Sequence, residues 1–326
     1  MAERLRYVGI AEETEYMQDP APEAVVHLPF ATFDINVTGD TVEEVPQGYD
    51  RVNEEVREAA YAVSGSIGYA TDVNTIGYFL KWGLGGYALD SESMVHNFYG
   101  VNDYALPSFV ARGGLDHTEM VYRGLVLDQI SLSVDKKGRA SFTGNVNGAK
   151  DEKAVLKNRD ELITYTEKPI MFHEVKVEVD GKDVSAEIDS LSIDISNNTD
   201  MDGYGMNNRL PVYIEGGERA TTFKHTLRFN NTKELEKFWG NSTGGGDKNG
   251  VKQFSVKYTL DRGVEGKVEI EIPRVYIQNP KHSVSNRDRA KQEINMKALP
   301  GDVTLSDSTK VRTDIYCRVE NGVESY

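Results

Sequence analysis

The chain has 326 residues, a formal net charge of −15 at neutral pH and one cysteine, Cys317. An acidic surface repels phosphate groups and anionic lipid, so this composition excludes a protein that grips DNA by neutralising it, although not one that encloses DNA. The single cysteine excludes an internal disulfide. Apolar residues make up 39% of the chain, which is enough for substantial hydrophobic cores.

The first half of the chain predicts mostly β-strands around one short helix. Short runs rich in Val, Ile, Phe and Tyr alternate with polar residues at every second position, which is typical of half-buried strands. In chain order we predict a strand at 33–37, a polar loop at 38–59, a strand at 61–69, a helix at 74–82, a long excursion at 84–118, and strands at 121–134 and 139–147 joined by a turn at 135–138.

The second half repeats this plan. An Asn-Thr pair stands eight residues before a Trp-Gly pair in both halves, at Asn74 and Trp82 and again at Asn231 and Trp239. The two tryptophans are 157 residues apart. We therefore predict an internal duplication, with second-half strands at 191–195, 221–229, 267–277 and 292–298, a helix at 231–239, a polar loop at 196–219 and a glycine-rich connection at 240–250.

Both predicted helices have the residues that start, end and pack a short helix. Asparagine is a favoured N-cap residue, and the glycine after each tryptophan is the usual C-terminal stop. Residues four apart lie on one helical face. We therefore expect Tyr78 and Trp82, and likewise Leu235 and Trp239, to pack each helix against its sheet.

The strands carry a polar face of mainly short side chains. Basic exceptions include Lys224, Arg228 and Lys267. Two interpretations stay open: an ordinary solvated sheet face, or the lining of a water-filled passage. The residues predicted to face such a lumen are Thr32, Asp34, Asn36, Ser64, Ser66, Ser131, Ser133, Ser141, Thr143, Asn145, Ser192, Asp194, Glu269 and Glu271.

No motif predicts catalysis, a cofactor or a metal. The six histidines show no pair at helical ligand spacing, and the glycine-rich stretches lack the ending of a phosphate loop. The stretch Asn198–Gly203 resembles a calcium loop, but Arg209 stands where the closing glutamate should be. Residues 1–30 lack the layout of a signal peptide, which predicts a cytosol-like compartment. We expect a protein that is not an enzyme and has no cofactor and no metal.

The order of elements resembles the tail tube proteins of long-tailed phages and archaeal tailed viruses, especially the two-part type. The resemblance covers nearly the whole chain. It is carried by the arm Ile10-Ala-Glu-Glu-Thr-Glu-Tyr16, the unit ending in Trp82-Gly83, the strand Leu125-Val-Leu-Asp-Gln-Ile-Ser-Leu132, and the same plan repeated to Ala298.

This resemblance implies a mainly β fold made of two tandem barrel or sandwich domains, each with one flanking helix. The corresponding divisions are an arm at 1–27, a first tube domain at 28–150 with an insertion at 84–118, and a second tube domain at 151–326 with a C-terminal extension. The arm and the loops 38–59 and 196–219 are expected to become ordered mainly through contact with other subunits, since long loops are often functional or disordered.

The resemblance also implies the partners and the location. The chain would form stacked rings with itself, with trimeric rings of pseudo-six-fold symmetry favoured over hexameric ones. Other implied partners are the tape measure, terminator and distal tail proteins, and DNA that passes without specific binding. No membrane partner is implied. The protein would be part of the virion tail, assembled in the host cytoplasm.

Other classes of protein fit parts of the pattern. A membrane porin also alternates polar and apolar strand faces, but it requires a signal peptide and aromatic girdles. A β-sandwich binding or adhesion module, or a carbohydrate-active enzyme, remains an alternative because a fold does not determine a function.

Overall fold

The fold is mainly β, with twenty strands and two α-helices among the described residues. The structure, a computed structural model, describes residues 5–18, 25–29, 31–44, 55–158, 161–165, 168–229, 231–240, 242, 244, 251–283 and 290–326. The helices are α1 (Ile76–Leu84) and α2 (Lys233–Trp239). The strands are β1 (Leu5–Glu12), β2 (Val26–His27), β3 (Thr32–Glu44), β4 (Glu55–Ala70), β5 (Gly85–Asp90), β6 (Val95–Gly100), β7 (Phe109–Asp116), β8 (Thr118–Asp135), β9 (Ser141–Gly148), β10 (Lys150–Ala154), β11 (Val175–Val179), β12 (Lys182–Asp183), β13 (Ile188–Ser196), β14 (Ala220–Arg228), β15 (Phe254–Asp261), β16 (Lys267–Ser283), β17 (Lys291–Leu299), β18 (Gly301–Thr304), β19 (Lys310–Thr313) and β20 (Tyr316–Glu320).

Eight of these strands form one continuous antiparallel run, which we call the eight-stranded sheet. Its order is β3-β4-β9-β8-β13-β14-β17-β16. The first four strands come from the first half of the chain and the last four from the second half. The two halves are joined where β8 pairs with β13, from Gln129 opposite Ser196 to Asp135 opposite Ser190.

The two halves of the eight-stranded sheet have the same strand order and the same irregularity. A register shift interrupts β8 between Leu127 and Gln129 where it pairs with β9, and β16 between Ile277 and Asn279 where it pairs with β17. The two shifts lie 150 residues apart. Their opposite partners, Asn145 and Asn295, are separated by the same interval. The pairing therefore gives paired residues of the four first-half strands equivalent positions in the four second-half strands.

A second layer of strands covers one side of the eight-stranded sheet. The N-terminal part of β8 pairs with β7 and β10, and the N-terminal part of β16 pairs with β15 and β20. Strand β20 also pairs with β6 of the 84–118 excursion. The main hydrophobic cluster between the layers takes residues from both sides of position 150, so the two divisions predicted from the sequence share one core.

Helix α1 lies in the centre of this core. Trp82 is fully buried and stacks on Phe109, with 4.3 Å between ring centroids, while Tyr78 is half-buried. Gly83 continues the helix rather than ending it, and a β-carbon at Gly83 would lie 2.0 Å from the Ile130 side chain. The helix ends instead at Gly85, which has a φ of 81°.

Helix α2 is more peripheral than its counterpart. Leu235 and Trp239 are only half-buried, and Phe238 is the residue of α2 that packs against the main cluster. The predicted glycine stop is correct here, since Gly240 ends the helix with a φ of 74°. The N-cap residues are Thr75 and Thr232 rather than the asparagines, and in the first helix Asp72 accepts hydrogen bonds from the backbone N–H groups of residues 74 and 75.

The described parts of three segments expected to depend on neighbouring subunits make contacts within this chain. In the arm, β1 pairs along its whole length with β7, and Ile10 is completely buried. Within the predicted loop 38–59, the described residues extend the antiparallel pairing of β3 and β4 as far as Glu44 opposite Glu55. Segment 197–219 folds against the first half through contacts described below. Residues 19–24, 45–54 and most of 241–250 lie outside the described residues.

Candidate functional site

The polar face of the eight-stranded sheet is the most extended candidate surface. Residues directly opposite on neighbouring strands share one face of a sheet. Asp34 lies opposite Ser66, Ser66 opposite Asn145, and Asn145 opposite Gln129. Equivalent cross-strand rows place on this same face Thr32, Asn36, Ser64, Ser131, Ser133, Ser141, Thr143, Ser192 and Asp194.

Two of the residues predicted for this face lie elsewhere. Glu269 and Glu271 are in the N-terminal part of β16, where they pair with β15 and β20 in the second layer. A register shift follows them, with Phe254 opposite Val275 but Val256 opposite Ile272. Glu269 makes ion pairs with Lys257 and Lys267, at 3.1 and 2.5 Å. The structure therefore does not bring these two glutamates together with the other polar residues.

Short side chains dominate the polar face, and its charged residues are partly neutralised. Asn145 Nδ2 donates to Gln129 Oε1 at 3.2 Å, and Ser192 Oγ donates to Asp194 Oδ2 at 3.1 Å. Lys224 lies 3.3 Å from Glu293 on the second-half part of the face. In the rows that contain Thr32, Asp34 and Asn36, the first-half strands carry Asp34 but no lysine or arginine.

The eight-stranded sheet has two open edges in the described part of the chain. Strand β3 pairs only with β4, and residues 276–283 of β16 pair only with β17. Pro280 lies on the β16 edge, and proline is characteristic of edge strands because it has no N–H. Backbone groups on such edges are available to another strand.

The pairing of β8 with β13, which we call the seam, shows how the strand equivalent to β3 is covered inside the chain. Strand β13 occupies the position in the second half that β3 occupies in the first. Ile193 and Ile195 of β13 are each 2% exposed, since they lie opposite β8 and also face helix α1 and the second layer. Their equivalents on β3 are Ile35, which is half-buried, and Val37, which is 40% exposed. The greater exposure on β3 is what is expected of an edge strand that lacks a neighbour on one side.

Segment 197–219 reinforces this seam. The Asn197 side chain donates to the carbonyl oxygens of Gly83 and Leu127, at 3.0 and 2.9 Å. Thr199 Oγ1 donates to Asp128 and accepts a bond from Asn147 Nδ2, both at 2.8 Å. Further along, the Arg209 side chain pairs with the carboxylate of Glu58. The sequence reveals this loop by its length, but not the surface on which it lies.

The buried titratable groups do not form a catalytic arrangement in the part of the chain that the structure describes. His225 Nε2 lies 2.6 Å from the Tyr258 hydroxyl inside the core, and burial lowers the pKa of His225 to about 4. Burial also raises the pKa of the Cys317 thiol. No group of three or more His, Cys, Asp or Glu residues suited to a metal ion occurs among the described residues. Tyr258 and Cys317 lie within the main hydrophobic cluster, so we assign these groups to the core.

Comparison with protein-family models identifies the family to which the chain belongs. The model described as phage tail tube protein matches residues 4–298. This chain belongs to the phage tail tube protein family. The match covers both halves of the eight-stranded sheet of this tail tube protein, and the predicted resemblance is thereby confirmed. No curated protein matches the chain.

Membership in the family makes this tail tube protein a structural component of the virion tail, and the family is not one of enzymes. Family membership also implies self-assembly into a tube with other tail proteins. Across the residues that the structure describes, no helix combines the length and apolar character needed to cross a membrane.

Proposed function

We propose that this tail tube protein polymerises as stacked rings that form the conduit for DNA ejection into the host. The β8–β13 seam is the observation that carries the proposal. It joins the last strand of one four-stranded unit to the first strand of the next. The two open edges of the sheet are the equivalents of these two strands: β16 corresponds to β8, and β3 corresponds to β13.

If the β8–β13 pairing is repeated between two copies, β3 of one copy pairs with β16 of the next. We call this pairing the β3–β16 joint. Applying the β8–β13 register to the equivalent positions places Asn36 of one copy opposite Lys281 of the next, and Val37 opposite Pro280. Val37 would then be covered as Ile195 is covered inside the chain. Pairing would also satisfy the backbone groups of β3, although Pro280 supplies no N–H.

In this proposal, three copies form one closed ring of six equivalent units. Each copy supplies eight strands in two equivalent units, so three copies supply six units and twenty-four strands. With strands about 4.8 Å apart and tilted by about 40°, such a barrel has a backbone diameter of roughly 50 Å. Hexameric rings remain the second arrangement. The duplication of one tube unit, with domains at 28–150 and 151–326, is part of the same proposal.

The polar face would line the bore of the ring. The opposite face of the sheet packs against the second layer and is buried, so ring closure leaves the polar face to point inward. Neutral hydroxyls, amides and carboxylates dominate this lining, and Lys224 is paired with Glu293, so a passing DNA phosphate meets few free cations and displaces few counterions. DNA would therefore slide through this lining without specific contacts.

Lysines on the polar face should slow DNA release. We expect virions carrying Asp34→Lys together with Asp194→Lys to assemble tails of normal length but to eject DNA more slowly, because the added cations attract phosphates. The measurement is the DNA ejection rate at low and high salt. The slowing should weaken as salt screens the charges.

A control variant has the same change in charge outside the polar face. Glu271→Lys together with Glu324→Lys replaces one glutamate in the second layer and one exposed glutamate near the C-terminus. Ejection by this control should match wild type. If the control slowed ejection as much as the lumen variant, or neither did, the assignment of the lining would be wrong.

A further inference from the structure

The seam is fastened by one buried side chain of the second half. The Asn197 side chain is 2% exposed, and its Nδ2 donates hydrogen bonds to the carbonyl oxygens of Gly83, at 3.0 Å, and Leu127, at 2.9 Å. Both acceptors belong to the first half: Gly83 lies in α1, and Leu127 lies at the register shift of β8. We call Asn197 with these two bonds the staple. It ties β13 both to the neighbouring strand and to helix α1.

The β3–β16 joint has an equivalent acceptor but no staple. Val37 and Ile195 are equivalent positions of β3 and β13. Two residues further along the chain, Asn197 of the second half therefore corresponds to Gly39 of the first. The acceptor at the register shift of β8 corresponds to Ile277, which lies at the matching shift of β16. Because glycine has no side chain that could donate to Ile277, the joint would repeat the backbone pairing of the seam without its buried amide.

The core under the joint is also more polar than the core under the seam. The two isoleucines of β13 at the seam face a small cavity lined by apolar side chains and Cys317. Leu80 of α1 is one of these side chains, and its equivalent on α2 is Lys237. Phe142 of β9 is another, and its equivalent on β17 is Gln292, which is 2% exposed and whose Nε2 has no hydrogen-bond partner among the described residues. A polar group buried without a partner costs free energy, so the core supports the joint less than it supports the seam.

We infer that the β3–β16 joint is a weakened copy of the seam, so that copies of the chain associate reversibly while the two halves of each copy stay together; this inference rests on the proposed ring. The backbone pairing is the same in both places, and the missing staple removes two hydrogen bonds from each joint. A ring of three copies has three joints, and the last of them closes within one assembly. Weak joints therefore hold a complete ring but leave single copies apart at low concentration.

Gly39→Asn tests the inference by supplying a staple to the joint. Gly39 is exposed in the single chain, and a β-carbon there would lie 3.9 Å from the Tyr61 ring, an ordinary contact distance. The variant should therefore fold as the wild type does. Two new hydrogen bonds should raise the association constant of each joint by about tenfold. Analytical ultracentrifugation over a range of concentrations should then show rings at a lower protein concentration than for the wild type.

Gly39→Ala is the matched control, because it adds the β-carbon without the amide and should assemble as the wild type does. A gain in assembly confined to Gly39→Asn would support the inference. Equal assembly of Gly39→Asn and the wild type, or the same gain in Gly39→Ala, would overturn the inference while leaving the ring in place. If neither the wild type nor Gly39→Asn formed rings at any concentration, the proposed ring would be overturned, and the inference with it.

Discussion

Replacing Val37 with lysine is expected to leave the chain folded and to abolish ring formation. Val37 is 40% exposed in the single chain, and substitutions at exposed sites usually change stability by less than about 0.5 kcal/mol. In the joint, however, a lysine would stand opposite Pro280 on the core side of the sheet. Lost apolar contact and a poorly solvated ammonium group should weaken each joint by about 2–4 kcal/mol.

That loss corresponds to a reduction of roughly 30- to 1,000-fold in the association constant of each joint. Analytical ultracentrifugation of wild type and variant over a range of concentrations measures it. Leu89→Lys is the matched control, since Leu89 on β5 is 37% exposed but lies outside the eight-stranded sheet. Ring formation by the Val37 variant at wild-type concentrations would mean that β3 is not part of the joint.

Replacing Trp82 with alanine should have the largest effect on stability, about 3–5 kcal/mol. Trp82 is fully buried, stacked on Phe109 and in edge contact with Phe79 at 5.7 Å between centroids. Its removal leaves a cavity in a rigid aromatic cluster. The indole N–H has no hydrogen-bond partner among the residues that the structure describes, so the substitution loses no hydrogen bond to them.

Trp239 provides the comparison, because it occupies the same place in the repeated sequence. It is only half-buried on the peripheral helix α2, so Trp239→Ala should cost no more than about half as much as Trp82→Ala. Denaturant unfolding of the two variants measures both losses. Equal losses would show that the two helices contribute equally to the core, contrary to their burial.

The positions of the eight strands along the chain could be predicted because they depend on local patterns. Each strand of the eight-stranded sheet has one face in the core, so its apolar residues recur at every second position. The extension of β3 beyond residue 38 has no such pattern. It forms a strand because it pairs with β4, and pairing of this kind depends on a neighbour rather than on propensity.

The placement of Glu269 and Glu271 shows the limit of strand periodicity. Alternation correctly separates them from the buried Val268 and Ile270. It cannot show that β16 takes part in both layers, because that depends on partners distant in sequence. A polar position on such a strand faces one side of the sandwich before the register shift and a different surface after it.

The joint itself could not be predicted from sequence because it requires two observations from the fold. One is the identical order of strands in the two halves, and the other is the contrast in burial between Val37 and Ile195. Pro280 and Lys281 are typical of an edge strand, but this signal identifies an edge without identifying its partner. The equivalent seam inside the chain supplies that partner.

Disulfide cross-linking between Asn36→Cys and Lys281→Cys tests the central claim most directly. Directly opposite residues on paired strands have β-carbons about 4.5–5.5 Å apart, close enough for a disulfide to form with small adjustments. The native Cys317 is fully buried and should not interfere. The single variants, and Asn36→Cys paired with Lys291→Cys on β17, are the controls. The account predicts that oxidation of assembled protein yields covalent dimers and then trimers as the final product on a non-reducing gel. No cross-linking, or a ladder that continues beyond three chains, would contradict it.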